Sequence, residues 1–151
     1  KNDGLVLMGQ DIGPYGGVFK VTDGFVEAFG EDRVRNTPLC ESAIVGAGLG
    51  LGIAGKKAMV EMQFSDVVTC GFNQIVNNLA KIHWRWGQSA DVVVRMPTGG
   101  GVGAGPYHSQ SATGPNFPNR TFTGRPERGS TPNTRSPDSR WAFSFTSSTV
   151  M

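Results

Sequence analysis

The chain is poor in cysteine, in histidine and in charge. Of its 151 residues, two are cysteine, two are histidine, and 17% are Asp, Glu, Lys or Arg. Cys40 and Cys70 have apolar neighbours and no spacing typical of metal ligands, so we expect buried free thiols in a reducing compartment. The small net charge of +2 gives no argument for a nucleic acid or a membrane surface as partner.

Long apolar runs are also missing. No stretch of about eighteen apolar residues occurs, and no signal peptide is recognisable, so we expect a soluble intracellular protein. Residues 112–151 contain no Leu, Ile or Lys, but five Pro and thirteen Ser or Thr. Such a segment buries too little apolar surface to offset the entropy of ordering it. We therefore predict one domain over residues 1–111, followed by a divergent segment at 112–151 that is either an out-of-frame end or a disordered extension.

What the chain does contain is one carboxylate at the head of an uncharged stretch. Glu41 is followed by no other charge until Lys56, and the residues between them are small or aliphatic. An acid in the first turn of a helix suits the helix dipole, which is one reading of Glu41. The alternating glycines from Gly46 to Gly52 make a poor autonomous helix, and they favour close approach of another backbone or a flat ligand. In the second reading, Glu41 lies at the mouth of a water-poor site suited to proton chemistry.

Hydrophobic periodicity predicts an α/β fold with a mostly parallel sheet. The predicted strands are Leu5–Met8, Arg33–Asn36, Ala58–Phe64 and Val92–Val94, and the predicted helices are Gly24–Phe29, the stretch headed by Glu41, and Asp66–Trp86. In such sheets ligands bind beyond the carboxyl ends of the strands. The loops Asp11–Gly17, Gln63–Asp66 and Thr98–His108 are therefore the places where we expect a site.

Two glycine-rich segments need separate readings. Gly50–Gly55 matches the dinucleotide fingerprint in form, but it ends a predicted helix and precedes a strand, the reverse of the required order. Gly99–Gly105 follows a strand but lacks the Lys-Ser/Thr of a phosphate loop. It is either a flexible loop or a backbone that brings His108 close to a ligand. His83 is read as a packed or surface residue.

Four collinear segments resemble one family, the beta subunits of thiamine-diphosphate-dependent 2-oxoacid dehydrogenases, which decarboxylate pyruvate or branched-chain 2-oxo acids. The segments are GQDIGPYGGVFKVT (9–22), EDRVRNTPLCESAIVGAGLGLG (31–52), VEMQFSDVVTCGFNQIVNNLAK (60–81) and VVVRMPTGGGVGAGPYHSQS (92–111). The resemblance implies a transketolase-like pyrimidine-binding domain, incomplete here, with helices on both faces of the sheet.

The resemblance also implies roles for particular residues. Glu41 matches the acid that hydrogen-bonds the cofactor's aminopyrimidine ring and promotes the tautomer needed for catalysis. His108 matches the active-site histidine that faces the substrate and the lipoyl arm. Gln63, Phe64 and Val67 line the cofactor pocket, although the family usually has Tyr or Phe at Val67, which would stack on the ring. The carbonyls of Ala90, Val92 and Val93 match part of a monovalent-cation (K+) site.

The partners implied by the resemblance are an alpha subunit and the lipoyl domain of the acyltransferase component. The family's Gly-Asp-Gly motif for Mg2+ is not found in this sequence, so the alpha subunit is expected to hold Mg2+ and the diphosphate. The expected location is the cytoplasm, or the mitochondrial matrix in a eukaryote. By this reading the chain is a truncated beta subunit that is inactive alone. The alternatives are a catalytically incompetent fragment with at most an association role and, third, a nucleotide-binding domain.

Overall fold

The structure is a computed structural model that describes residues 2–97, 103–104 and 108–109. The division of the chain at residue 111 and the prediction for residues 112–151 lie outside the described residues. Most of the Gly99–Gly105 segment lies outside them as well.

A four-stranded parallel sheet forms the centre of the domain. Its strands are β1 (Leu5–Gln10), β2 (Val34–Thr37), β3 (Lys57–Glu61) and β4 (Asp91–Arg95), in the spatial order β2-β1-β3-β4. All three neighbouring pairs are parallel. The α-helices are α1 (Phe25–Phe29), α2 (Glu41–Ile53), α3 (Val68–Asn73) and α4 (Ile82–Trp86). The predicted α/β class and parallel sheet are confirmed.

The main core lies between one face of the sheet and the helices α2 to α4. Successive side chains of a strand point to opposite faces, so alternate residues of β3 and β4 meet the helices. This buried cluster contains Ile44, Val45, Ala58, Val60, Met62, Val68, Ile75, Leu79, Ile82, Ala90, Val92, Val94 and Met96. These residues hold the carboxyl end of the sheet and the start of α2 in one packed unit.

The opposite face of the sheet is covered by α1, a helix of only five residues. Leu5, Leu7 and Met59 on this face and Phe25 and Phe29 on α1 line a cavity of about 410 Å3. Helices therefore lie on both faces, as the family resemblance implies. The cover on this face is much thinner than the cover that α2 to α4 provide.

The prediction of one continuous α-helix over Asp66–Trp86 is wrong, because the helix changes type along this stretch. After α3 the chain forms a π-helical turn at Gln74–Asn78 and a 3₁₀ turn at Leu79–Lys81 before α4 begins. Asn is a weak helix former because its amide competes for hydrogen bonds. In this run Asn78 donates to Gln74 at 2.7 Å, and Asn77 donates to Asn73 at 2.8 Å.

Glycines let α2 lie very close to the sheet. A Cβ at Gly48 would come within 2.6 Å of Val60 Cγ1. A Cβ at Gly52 would lie 2.9 Å from Ala90 Cβ and 3.2 Å from the Asp91 nitrogen. At Gly50, on the exposed side of the helix, nothing lies within 4 Å. The close backbone approach predicted from the glycine pattern is therefore confirmed at Gly52.

Two alanine substitutions should consequently act in opposite directions on the free energy of unfolding. Gly52→Ala forces the helix off the backbone of β4 and should destabilise the chain by about 1–3 kcal/mol. Gly50→Ala meets no atom and should stabilise it by about 0.5–1 kcal/mol, through the better helix propensity of Ala. Urea unfolding of both variants measures the difference; a Gly52→Ala protein as stable as Gly50→Ala would contradict the close packing.

Candidate active site

The predicted site loops gather at the carboxyl ends of the strands. Asp11 follows β1, Glu41 begins the helix after β2, and Gln63 to Asp66 follow β3. His108 belongs to the chain beyond β4 and contacts the loop after β3. Because the strands are parallel, all these groups lie at the same edge of the sheet.

Glu41 is the first residue of α2 and is partly buried. Its backbone carbonyl lies 3.4 Å from the position that a Cβ on Gly71 of α3 would occupy, so α2 and α3 pack tightly here. Within the described residues, its carboxylate has no hydrogen-bond or ion-pair partner. The acid at the helix start is confirmed, and its oxygens are left available as acceptors for a ligand.

A hydrogen bond joins the loop after β1 to the loop after β3. Gln63 Nε2 donates to Asp11 Oδ2 at 2.7 Å, and the Asp11 backbone carbonyl accepts the Gly17 N–H at 2.7 Å. Asp11 has a φ of 58°, a left-handed conformation that is uncommon outside glycine and concentrates at functional sites. The structure therefore places the Asp11–Gly17 loop and Gln63 side by side in one wall of the site.

Phe64 and His108 form an aromatic stack. Their ring centroids are 4.2 Å apart with an interplanar angle of 15°, and Phe19 meets Phe64 edge-on at 5.7 Å. The His108 Nδ1 atom lies 3.2 Å from each carboxylate oxygen of Asp66. Asp66 ends the Gln63–Asp66 loop, in which the sequence predicts a site, but the motifs indicated no role for Asp66 itself or for Phe19. Their position in loops after parallel strands was the one available signal.

Three further contacts hold the end of β3 against the end of β4. Glu61 and Arg95, which are partners in the register of the two strands, form an ion pair at 2.5 Å with side chains 9% and 18% exposed. The Met62 N–H donates to the Arg95 carbonyl at 2.9 Å, and the Ser65 N–H donates to the Pro97 carbonyl at 3.0 Å. The buried ion pair accounts for a carboxylate at the end of an apolar strand.

The remaining predicted residues lie close to these groups or along β4. Val67 is partly buried and packs against the main core. Ala90 and Val92 are buried at the start of β4, and Val93 follows them. Among the described strands β4 has a neighbour only on its β3 side. The roles of Val67 in binding and of the β4 carbonyls toward a cation stay predictions.

Other sequence-based readings can be compared with the structure directly. Gly50 lies in the last turn of α2, and Gly55 lies in the turn before β3, so the order is helix to strand and the dinucleotide fingerprint does not apply. Both cysteines are free, but Cys70 is exposed because it lies on the outer side of the short α3, so the expectation of burial is wrong for it. Over the described ranges, no cluster of three His, Cys, Asp or Glu side chains could hold a metal ion.

The sequence of the domain matches the family described as the transketolase pyrimidine-binding domain over residues 1–113. The chain belongs to this family. Its parallel sheet, with Glu41 at the head of the helix that follows the second strand, is the scaffold of this pyrimidine-binding domain. No helix of the described part of the chain combines the length and apolar character needed to cross a bilayer.

Several curated relatives are beta subunits of 2-oxoacid dehydrogenases. The 2-oxoisovalerate dehydrogenase subunit beta of Bacillus subtilis is 49% identical over 111 residues, which are 71% of this chain and 33% of that protein. The pyruvate dehydrogenase E1 component subunit beta of Leifsonia xyli is 44% identical over 109 residues, 71% of this chain and 32% of the relative. The mitochondrial 2-oxoisovalerate dehydrogenase subunit beta 2 of Arabidopsis thaliana is 45% identical over 108 residues, 70% of this chain and 30% of the relative. The chain thus spans about a third of the length of these relatives.

Breaking the Glu61–Arg95 pair on one side should destabilise the domain strongly. Arg95→Met leaves Glu61 buried without its partner and should lower the free energy of unfolding by about 2–4 kcal/mol. The double variant Glu61→Leu/Arg95→Met removes both charges and should recover most of that loss. Arg35→Met breaks the exposed pair with Asp32 and serves as a control with no expected change. Equal urea midpoints for Arg95→Met and Arg35→Met would show that the buried pair is not needed.

Proposed function

We propose that this chain supplies the pyrimidine half of a thiamine diphosphate site in a 2-oxoacid dehydrogenase, as a piece of its beta subunit. The observation that carries the proposal is the setting of Glu41. It is a partly buried carboxylate with no partner in the described residues, at the head of a tightly packed helix in a transketolase-type pyrimidine-binding domain. The names of the relatives, which are beta subunits of 2-oxoisovalerate and pyruvate dehydrogenases, support the class of reaction.

The residues present fit an aminopyrimidine ring. Glu41 offers an unengaged carboxyl group that can hydrogen-bond a ring nitrogen, and a low-dielectric setting strengthens such a bond. Gln63, held by Asp11, and Phe64, stacked on His108, lie at the same end of the sheet and would line the pocket for the ring. Val67 adds an aliphatic contact in place of an aromatic one. When bound, thiamine diphosphate supplies the electron sink for decarboxylation of a 2-oxo acid.

In the proposed reaction each residue has a limited task. Glu41 holds a proton at the pyrimidine ring and so favours the reactive tautomer of the amino group. His108, whose side chain is 43% exposed, would face the substrate and the lipoyl group. The product of this reaction would be an acyl group carried by lipoamide.

The rest of the site would come from a partner. An alpha subunit would hold the diphosphate and Mg2+, because the sequence carries no Gly-Asp-Gly motif, and a lipoyl domain would take the acyl group. Leu39, two residues before Glu41, is 72% exposed. Tyr15, in the Asp11–Gly17 loop that is hydrogen-bonded to Gln63, is 57% exposed. Large exposed apolar side chains beside a site support its completion by another protein surface. The proposal also includes a K+ ion bound in part by the backbone carbonyls of Ala90, Val92 and Val93.

A second function, association without catalysis, has its own supporting observation. Trp84 and Trp86 are 75% and 56% exposed, and Arg85 stacks on Trp86. Trp and Arg are the residue types most enriched at the energetic centres of protein interfaces. A chain that binds its partner through this surface, and turns over no substrate in any assembly, would have this function alone.

Replacement of Glu41 tests the catalytic proposal. Residues 5–111 are placed in the Bacillus subtilis beta subunit, in exchange for the matching segment, and the chimera is assembled with its alpha subunit. Glu41→Gln keeps the size of the side chain but cannot exchange a proton with the ring. We expect decarboxylation to fall by at least about 10²-fold while cofactor binding and assembly persist. Turnover is followed by CO2 release, and cofactor binding by calorimetry.

The matched control is Glu31→Gln, an exposed carboxylate at the far end of the same family segment, which should keep wild-type turnover. Near-normal turnover by Glu41→Gln would remove Glu41 from the mechanism. A wild-type chimera that assembles but binds no thiamine diphosphate would favour association alone. The 151-residue chain without a partner is expected to release no CO2, and release by it would contradict the division of the site between two subunits.

A further inference from the structure

We infer that Asp66 is a positioning residue for His108, which it holds as the Nδ1–H tautomer so that Nε2 is the atom presented to the site. The contribution to turnover rests on the proposed function. The control of the imidazole tautomer rests only on the geometry of the two side chains. Asp66 belongs to neither of the residue sets that sequence analysis assigned to catalysis or to cofactor binding.

The geometry leaves one assignment for the shared proton. Both carboxylate oxygens of Asp66 lie 3.2 Å from His108 Nδ1, so this nitrogen is equally close to the two oxygens. An ionised carboxylate only accepts hydrogen bonds. Nδ1 must therefore be the donor whether the imidazole is neutral or protonated. In the neutral ring Nε2 then carries the lone pair.

A second contact fixes the plane of the ring. Phe64 stacks on His108 with 15° between the planes, and Phe19 braces Phe64 from its edge. The stack restricts tilting of the imidazole, and the carboxylate restricts its rotation within the plane. Together the two contacts define the direction in which Nε2 points. Because both its tilt and its rotation are restricted, the imidazole can form a hydrogen bond or transfer a proton at Nε2 in a defined direction.

Asp66 is itself less exposed than the histidine, and its backbone is hydrogen-bonded. Its side chain is 12% exposed, whereas that of His108 is 43% exposed. The preceding residue, Ser65, is buried, and its N–H donates to the Pro97 carbonyl at the end of β4. The Thr69 hydroxyl donates to the Asp66 carbonyl at 3.1 Å. The backbone on either side of the Asp66 side chain is thus anchored, and its carboxylate is largely shielded from solvent.

Unlike an ordinary surface ion pair, the contact between Asp66 and His108 determines which ring nitrogen of the histidine carries the proton. Free histidine in water prefers the Nε2–H tautomer, so Asp66 would reverse the preference of His108. With Nε2 unprotonated, the ring can accept a proton or a hydrogen bond from a group bound in the site. With the opposite tautomer it could only donate there. A carboxylate that orients a histidine in this way acts through the histidine and need not touch the substrate.

The tautomer can be read directly in the full 151-residue chain labelled with [15N]histidine. Long-range 1H–15N spectra distinguish protonated from unprotonated ring nitrogens, and His83→Asn assigns the two histidines. In alkaline buffer, in which an ordinary imidazole is neutral, wild-type His108 should show protonated Nδ1 and unprotonated Nε2. Asp66→Ala should revert it to Nε2–H, whereas Asp32→Ala, at an exposed carboxylate, should leave it unchanged. Nε2–H in the wild-type chain would overturn the inference, whatever the variants do.

The assembled chimera tests the consequence for turnover. Asp66→Ala should lower kcat by about tenfold or more with little change in KM, since the histidine keeps its place but loses its orientation. Asp66→Glu, which restores a carboxylate, should recover part of the loss. Wild-type kcat in Asp66→Ala would overturn the positioning role. If the wild-type chimera itself releases no CO2 while His108 shows the Nδ1–H tautomer, the proposed function fails and the inference about Asp66 stands.

Discussion

The close contact between α2 and the sheet is the constraint on which the other features depend. Gly48 and Gly52 remove the side chains that would separate the helix from Val60 and from the backbone at Ala90 and Asp91. Glycine weakens an isolated helix, so α2 depends on tertiary packing for its stability. That packing draws the start of the helix to the carboxyl ends of the strands. The position of Glu41 is therefore set by contacts at Gly48 and Gly52, about two and three helical turns away. These contacts are possible only because the two glycines have no side chain.

A second set of contacts makes the loops after β3 and β4 a single unit. The Glu61–Arg95 pair, the Met62 to Arg95 hydrogen bond and the Ser65 to Pro97 hydrogen bond follow one another toward the site. The Asp66–His108 contact continues this series beyond the last strand residue. Loops are usually the most variable part of an α/β domain. Here the loop that carries Gln63, Phe64 and Asp66 is tied to the neighbouring strand at several points, so its side chains share a common frame.

Much of the fold could be predicted because it follows from local pattern. Apolar runs at Leu5 and Val92 indicated buried strands, and the glycines of α2 indicated close approach. The break between α3 and α4 could not be predicted, since Ile75, Leu79 and Ile82 keep helical spacing through it. For the candidate site, the uncharged stretch singled out Glu41, the loops after the strands indicated where to look, and the family resemblance suggested roles for Glu41, His108, Gln63 and Phe64. The partnership of Asp66 with His108 spans 42 positions in sequence and depends on how two loops meet, which no periodicity encodes.

Two carboxylates of the site, Glu41 and Asp66, differ in whether they are free to bind a ligand, and the difference lies in their surroundings. Asp66 is engaged by the imidazole of His108, and its backbone carbonyl is engaged by Thr69. Glu41, in the first turn of α2, benefits from the helix dipole but has no side-chain partner among the residues described. A group that must exchange a proton with a ligand has to be free of competing donors, whereas a group that orients another side chain has to be occupied by it. In the proposed function the same carboxyl chemistry would serve two tasks, because the fold leaves Glu41 without a side-chain partner and engages Asp66 with His108.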